Sequence, residues 1–215
     1  KILQIDRKSD DQQVLYRNIV KFNNSQNSID EKTFVSNNSI FSRLQTEVEN
    51  KGFLLLIKQS DKNKYTNKYK VVTKLIDSNS DRIRRFGLQP VKAAKDVFIP
   101  LEKLLQVICA FSSSGYVAYV KKSNMLKFNS EQYNTAISFI KKVSSIDAIL
   151  DLYLLYKRAE EEKNKKQDSR APITYYLIDC FARYECKERK AELILSELVN
   201  SNKIERIITL YTRVT

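Results

Sequence analysis

Glycine and proline together account for six of 215 residues, three of each. Tight turns need the left-handed backbone that glycine allows or the fixed φ that proline supplies. An all-β sandwich or barrel turns about every eight to twelve residues, and this chain lacks the residues to do so. Helices joined by few sharp connections remain. Hydrophobic residues make up 42% of the chain, enough for a packed core.

Periodicity divides the chain further. KILQI (1–5) reads as a short strand, and a chain opening on it predicts a start inside a longer protein. Ser9 and Gln12 have capping-box spacing, which predicts a helix from about Asp10. Leu15, Ile19 and Phe22 fall on one face of that helix, Arg17 and Lys21 on another. Asp30 is placed to cap a short helix holding Phe34 and Val35, and Phe41, Leu44 and Val48 mark a further helix that Gly52 can end. FLLLI (53–57) reads as a buried strand and 59–70 as a polar, basic loop or hairpin, while 71–96 carries no clear signal.

Beyond Pro100 the pattern is helical. LEKLLQVICAF (101–111) predicts a central helix and SSSG (112–115) a break, followed by YVAYVKK and NSEQYNTAISFIKKV. A long helix from about Ser145 to Lys166 turns Ile146, Ile149, Leu150, Tyr153 and Leu154 inward and ends in the charged, solvated tip EEEKNKK. Pro172 opens the helix ITYYLIDCFARY, and the last helices hold Leu193, Leu195, Leu198, Ile204, Ile208 and Leu210. The expected fold is mainly α, with a small α/β N-terminal part over 1–96 and an all-helical, bundle-like half over 97–215.

The chain has no histidine, and its three cysteines, Cys109, Cys180 and Cys186, form no CxxC pair. That argues against Cys/His metal sites and against Ser–His–Asp or Cys–His catalysis. Cys109 reads as a small buried hydrophobe, and the cysteine pattern points to a reducing cytoplasm. No apolar run reaches the roughly 18–20 residues of a membrane span. Gly52, Gly87 and Gly115 lie too far apart for a phosphate loop. Asp77 and Asp81, at i and i+4, fit solvated surface better than a catalytic pair. Tyr153, Tyr156, Tyr175 and Tyr176 are read as core and core edge. No catalytic residue, metal or cofactor is assigned.

Charge is the strongest functional hint. The formal net charge is +13, and from residue 58 to 95 eleven lysines and arginines stand against three aspartates. Such a segment attracts polyanions by counterion release. Tyr65 and Tyr69 lie among the lysines, where they can stack on bases or pack on the core. A solvated lysine-rich surface is the alternative. The second hint is FNNSQNSID (22–30), with six uncharged polar residues in a row. Asparagine and glutamine amides can read phosphate, ribose or base edges. They equally cap helix ends and bond to their own turn. Binding candidates are therefore Arg17, Asn23, Asn24, Gln26 and Asn27, with Lys64, Lys68, Lys70, Arg82, Arg84 and Arg85 in the basic segment.

RNIVKFNNSQNSIDEKTFVSNNSIFSRLQTEVENKGF resembles the middle of proteins of the AIPR family, named for a link to abortive phage infection. The matching elements are Arg17, Asn23 to Asn27, Ile29, Asp30, Ser36, Asn37, Leu44 and Gln45. The later order of a basic segment, the IPLEKLLQVICAF helix and the LYLLYKR helix is also similar. Longer family members carry an upstream region, sometimes resembling a restriction-endonuclease-like fold, and no Asp…Glu-x-Lys arrangement on a strand answers to it here. The resemblance implies a C-terminal portion of a bacterial anti-phage defence protein without its catalytic region. The expected role is binding DNA or RNA. The alternative is a protein-interaction module that self-associates or senses a phage protein. No membrane partner is expected.

Overall fold

The structure, a computed structural model, describes residues 10–25, 38–58, 60–66, 81–92, 94–184, 186, 206, 208–209 and 211–213. Helix α1 spans Asp10–Ser25, so it starts where the Ser9–Gln12 spacing placed it and carries Asn23, Asn24 and Ser25 within its last turns. Half of the expected turn is therefore helix. Leu15, on the expected apolar face, is 49% exposed with Val14 and Tyr16 beside it, while Ile19 is half-buried. The KILQI strand, the Asp30-capped helix, and the helical expectations at Leu193, Leu195, Leu198, Ile204 and Leu210 lie outside the described residues.

Helix α2 (Ser39–Asn50) buries Phe41, Leu44 and Val48. It ends in a Schellman turn: Gly52 (φ +76) donates to Glu49 O at 2.9 Å and Phe53 N–H to Val48 O at 3.1 Å. Phe53 thereby enters β1 (Leu54–Leu56), buried at every position. β1 pairs in parallel with β2 (Phe98–Pro100), with Leu55 opposite Ile99. A parallel pair needs a long crossover, and the basic segment is that crossover. It holds α3 (Asp61–Thr66), where a loop or hairpin was expected, and a helical turn over 81–85. Asp61 accepts the backbone N–H of Ile57 and Lys58 at 2.9 and 2.8 Å, which closes β1 onto α3.

β2 leads directly into α4 (Leu101–Ser112), the central helix, nine of whose twelve residues are buried. The SSSG break separates it from α5 (Gly115–Val120). Helix α6 (Glu131–Lys142) starts on the Ser130 cap and α7 (Ile146–Lys165) on the Ser145 cap. Ile149, Leu150, Tyr153 and Leu154 face inward as expected. The EEEKNKK tip is less solvated than expected. Glu162 keeps only 13% side-chain exposure because Arg158 pairs with it at 2.9 Å. Helix α8 (Ile173–Tyr184) follows Pro172 and packs on α4, α5 and α7. One continuous core runs from Phe41 through both strands to Phe181. The fold is mainly α with a two-stranded parallel sheet, and that sheet joins residues on both sides of position 96.

Candidate nucleic-acid interface

Arg17 is half-buried on α1. Its Nη2 donates to Gln13 Oε1 and Asn38 Oδ1, both at 3.2 Å, and its guanidinium lies 6.0 Å from the Phe128 ring centre. Asn38 is buried. It caps α2 by accepting the Ile40 N–H at 3.0 Å and donates to the Tyr133 hydroxyl at 2.7 Å. Arg17 thus ties α1 to the start of α2. The described amides beside it are Gln13 and Asn38. Asn23 and Asn24 have a described backbone only, and Gln26 and Asn27 lie outside the described residues.

In the basic segment, Arg82 turns inward. Its Nη2 forms a very short bond to Asp147, and its Nε lies 3.4 Å from Asp151. Lys51 Nζ meets the other Asp147 oxygen at 3.0 Å. Burial opposes the Asp147 charge, yet bonds from Lys51 and Arg82 outweigh it and hold that carboxyl below its ordinary value. Deeper Asp151 goes the other way: burial pushes it up to about 6 despite Arg82. Arg84 and Arg85 stay exposed. Arg84 meets Asp81 at 3.0 Å across two largely exposed side chains, a pairing that contributes little. Arg158 fixes the end of this turn by donating to Gly87 O at 2.7 Å. Lys64 has only a described backbone, on α3, and Lys68 and Lys70 lie outside the described residues.

Beside this ion cluster a groove of about 670 Å³ runs between α2 and the α6–α7 connection. Its cations Arg43 and Lys51 are matched by Glu47 at 2.8 Å and Asp147 at 3.0 Å. Among the described residues, only Lys141 adds positive charge to the lining without a carboxylate paired to it. The groove is therefore a weak focus for a polyanion.

A richer arrangement gathers around Lys103 of α4. Lys103 donates a very short bond to the Tyr175 hydroxyl, and its Nζ is 5.1 Å from the Tyr175 ring centre and 5.5 Å from that of Tyr156. Tyr175 passes the chain on to Gln106 Oε1 at 3.0 Å, and Gln106 donates to Ala118 O at 3.1 Å, so the buried amide is satisfied. Tyr156 stacks on Tyr175 at 5.6 Å, and Tyr119 lies 6.4 Å from Tyr175. Burial lowers the Lys103 pKa. Glu160 and Glu102 pull it back, and the charges of Lys122 and Lys163 push it further down. Burial also raises the Tyr156 and Tyr175 hydroxyls. Helix α5 sits tightly here. Gly115 donates to Asp179 at 3.0 Å, and a Cβ on Gly115 would lie 2.5 Å from Tyr175 O. Its other face leaves Tyr116 58% and Tyr119 37% exposed. Tyr156 and Tyr175 are buried, as expected of core aromatics, but sequence reasoning did not single out Lys103 and Tyr119 beside them. The available signal was YVAYVKK, two tyrosines at i and i+3 followed by two lysines.

Among the described residues, no group of three or more His, Cys, Asp or Glu could hold a metal ion, and no helix is long and apolar enough to cross a membrane. The described surfaces include exposed cations and aromatic faces. No curated protein and no solved structure matches the chain. A family model described as AIPR protein matches residues 1–215, the whole sequence, and the chain belongs to the AIPR family.

Proposed function

We propose that the chain is a nucleic-acid-binding, regulatory module acting in cytoplasmic abortive-infection defence. Membership of the AIPR family suggests the defence context. The binding half rests on the crossover turn at 81–85. Arg82 spends its charge on Asp147 and Asp151, which fixes the turn to α7, and that anchoring leaves Arg84 and Arg85 directed at solvent. Two exposed arginines on an anchored turn, in a chain of net charge +13, form a polyanion contact that costs little ordering on binding. Titrating random-sequence DNA and RNA at rising salt tests it. Affinity that falls steeply with salt supports the reading, and no binding at low salt ends it. A second reading, a protein-interaction module that self-associates or senses a phage component, is favoured by Val14, Leu15 and Tyr16, three consecutive side chains 44–49% exposed on α1.

A further inference from the structure

We propose that the outer face of α5, with Tyr116 and Tyr119 as stacking platforms and Lys103 and Lys122 as the flanking cations, binds single-stranded nucleic acid. The inference deepens the nucleic-acid reading and rests on it, but names a different surface from the 81–85 turn. Tyr116 and Tyr119 stand at i and i+3, on one face of the helix, and both keep much of their surface in solvent. Each ring offers a flat face to a base of any sequence. The platform is held rigidly. Asp179 accepts the Gly115 N–H at 3.0 Å, and backbone contact at Gly115 leaves no room for a side chain. Tyr119 leans on Tyr175 at 6.4 Å, and Tyr175 accepts from Lys103. Lys103 is thereby held beside the platform on an aromatic floor, with Lys122 and Lys163 close enough for their charges to act on it. Glu160 and Glu102 oppose that field. Stacking requires bases free of their partners, so this combination selects single strands over duplex.

The test uses the whole chain and fluorescence anisotropy with short oligo(dT) and oligo(rU), a duplex of equal length, and inorganic polyphosphate as a polyanion without bases. Tyr116→Ser with Tyr119→Ser should lower single-strand affinity about fivefold or more for each ring lost. Polyphosphate affinity should stay within about twofold, because the lysines remain. Tyr116→Phe with Tyr119→Phe should restore single-strand binding, which a merely structural role for the hydroxyls would not allow. If the double serine variant unfolds, Tyr116→Ser alone, at the more exposed ring, carries the test. Parent protein that binds single strands equally well with and without the tyrosine rings overturns this inference and leaves the 81–85 contact standing. Parent protein that binds no nucleic acid at low salt overturns both.

Discussion

Replacing Arg82 by alanine separates an anchoring arginine from a binding one. Arg82 keeps 22% side-chain exposure and Asp151 only 7%, so the pair is mostly withdrawn from water. Removing one partner of a buried ion pair costs about 3–5 kcal/mol, and the partial exposure of Arg82 places the expectation lower, at about 2–4 kcal/mol at pH 7. The cost has a ceiling, since Asp151 can take up a proton rather than stay charged without its partner. Its folded pKa, raised from 3.8 to about 6, climbs further once Arg82 is gone. The sign of the pH dependence follows. A raised carboxyl pKa means the folded state favours the neutral acid, so the penalty is full above the folded pKa and fades as pH falls through it. Asp147 has a lowered pKa, so its stabilisation persists down toward 3.8, and Lys51 remains to sustain it. At pH 5 the Arg82→Ala penalty should therefore shrink to about 1 kcal/mol. Urea unfolding followed by circular dichroism at both pH values reads this directly. Adding Asp151→Asn to Arg82→Ala should recover at least half of the pH 7 loss. A penalty equal at the two pH values, or no recovery in the double variant, would refute the reasoning.

Leu105 is fully buried at the centre of α4, and Leu105→Ala should cost about 2–5 kcal/mol in the same unfolding assay. Gly115→Ala forces a Cβ against the Tyr175 backbone at 2.5 Å and should cost about 1–3 kcal/mol, with α5 displaced from α8. Cys109 is 1% exposed and its thiol is pushed up to about 11 by burial, so iodoacetamide at pH 8 should label half-exposed Cys180 well before it, as read by peptide mass spectrometry.

The parts of the fold that sequence made legible are those where one local rule dominates. Gly52 ends α2, Ser145 starts α7, and the apolar run 101–111 becomes the central helix, because caps and burial act through near neighbours. The parallel pairing of β1 with β2 was not legible. FIP (98–100) is too short for its pattern to signal a strand, and its partner lies more than forty residues upstream. The same distance hides the role of Arg82. In the sequence it is one cation among eleven, and only the packing of the crossover on α7 brings it to Asp147 and Asp151. From sequence Arg17 reads equally as pointing toward the amide stretch or as a surface cation, and its described bonds go to Gln13 on its own helix and to Asn38, the cap of the next. The Lys103–Tyr175 cluster draws on α4, α5, α7 and α8 at once, which no spacing along the chain reports.

The claim that this AIPR chain grips nucleic acid through its anchored crossover turn is tested most directly by the salt dependence of binding with and without Arg84 and Arg85. Each phosphate contact contributes a slope of about 0.9 in log affinity against log salt on duplex DNA. Parent protein and the Arg84→Ala, Arg85→Ala double variant would be titrated with the same random duplex over a series of salt concentrations. The account predicts a negative slope for the parent that becomes shallower by nearly two in the variant, with unfolding curves that superimpose. A slope unchanged by the double substitution, or a parent protein that fails to bind at low salt, would contradict it.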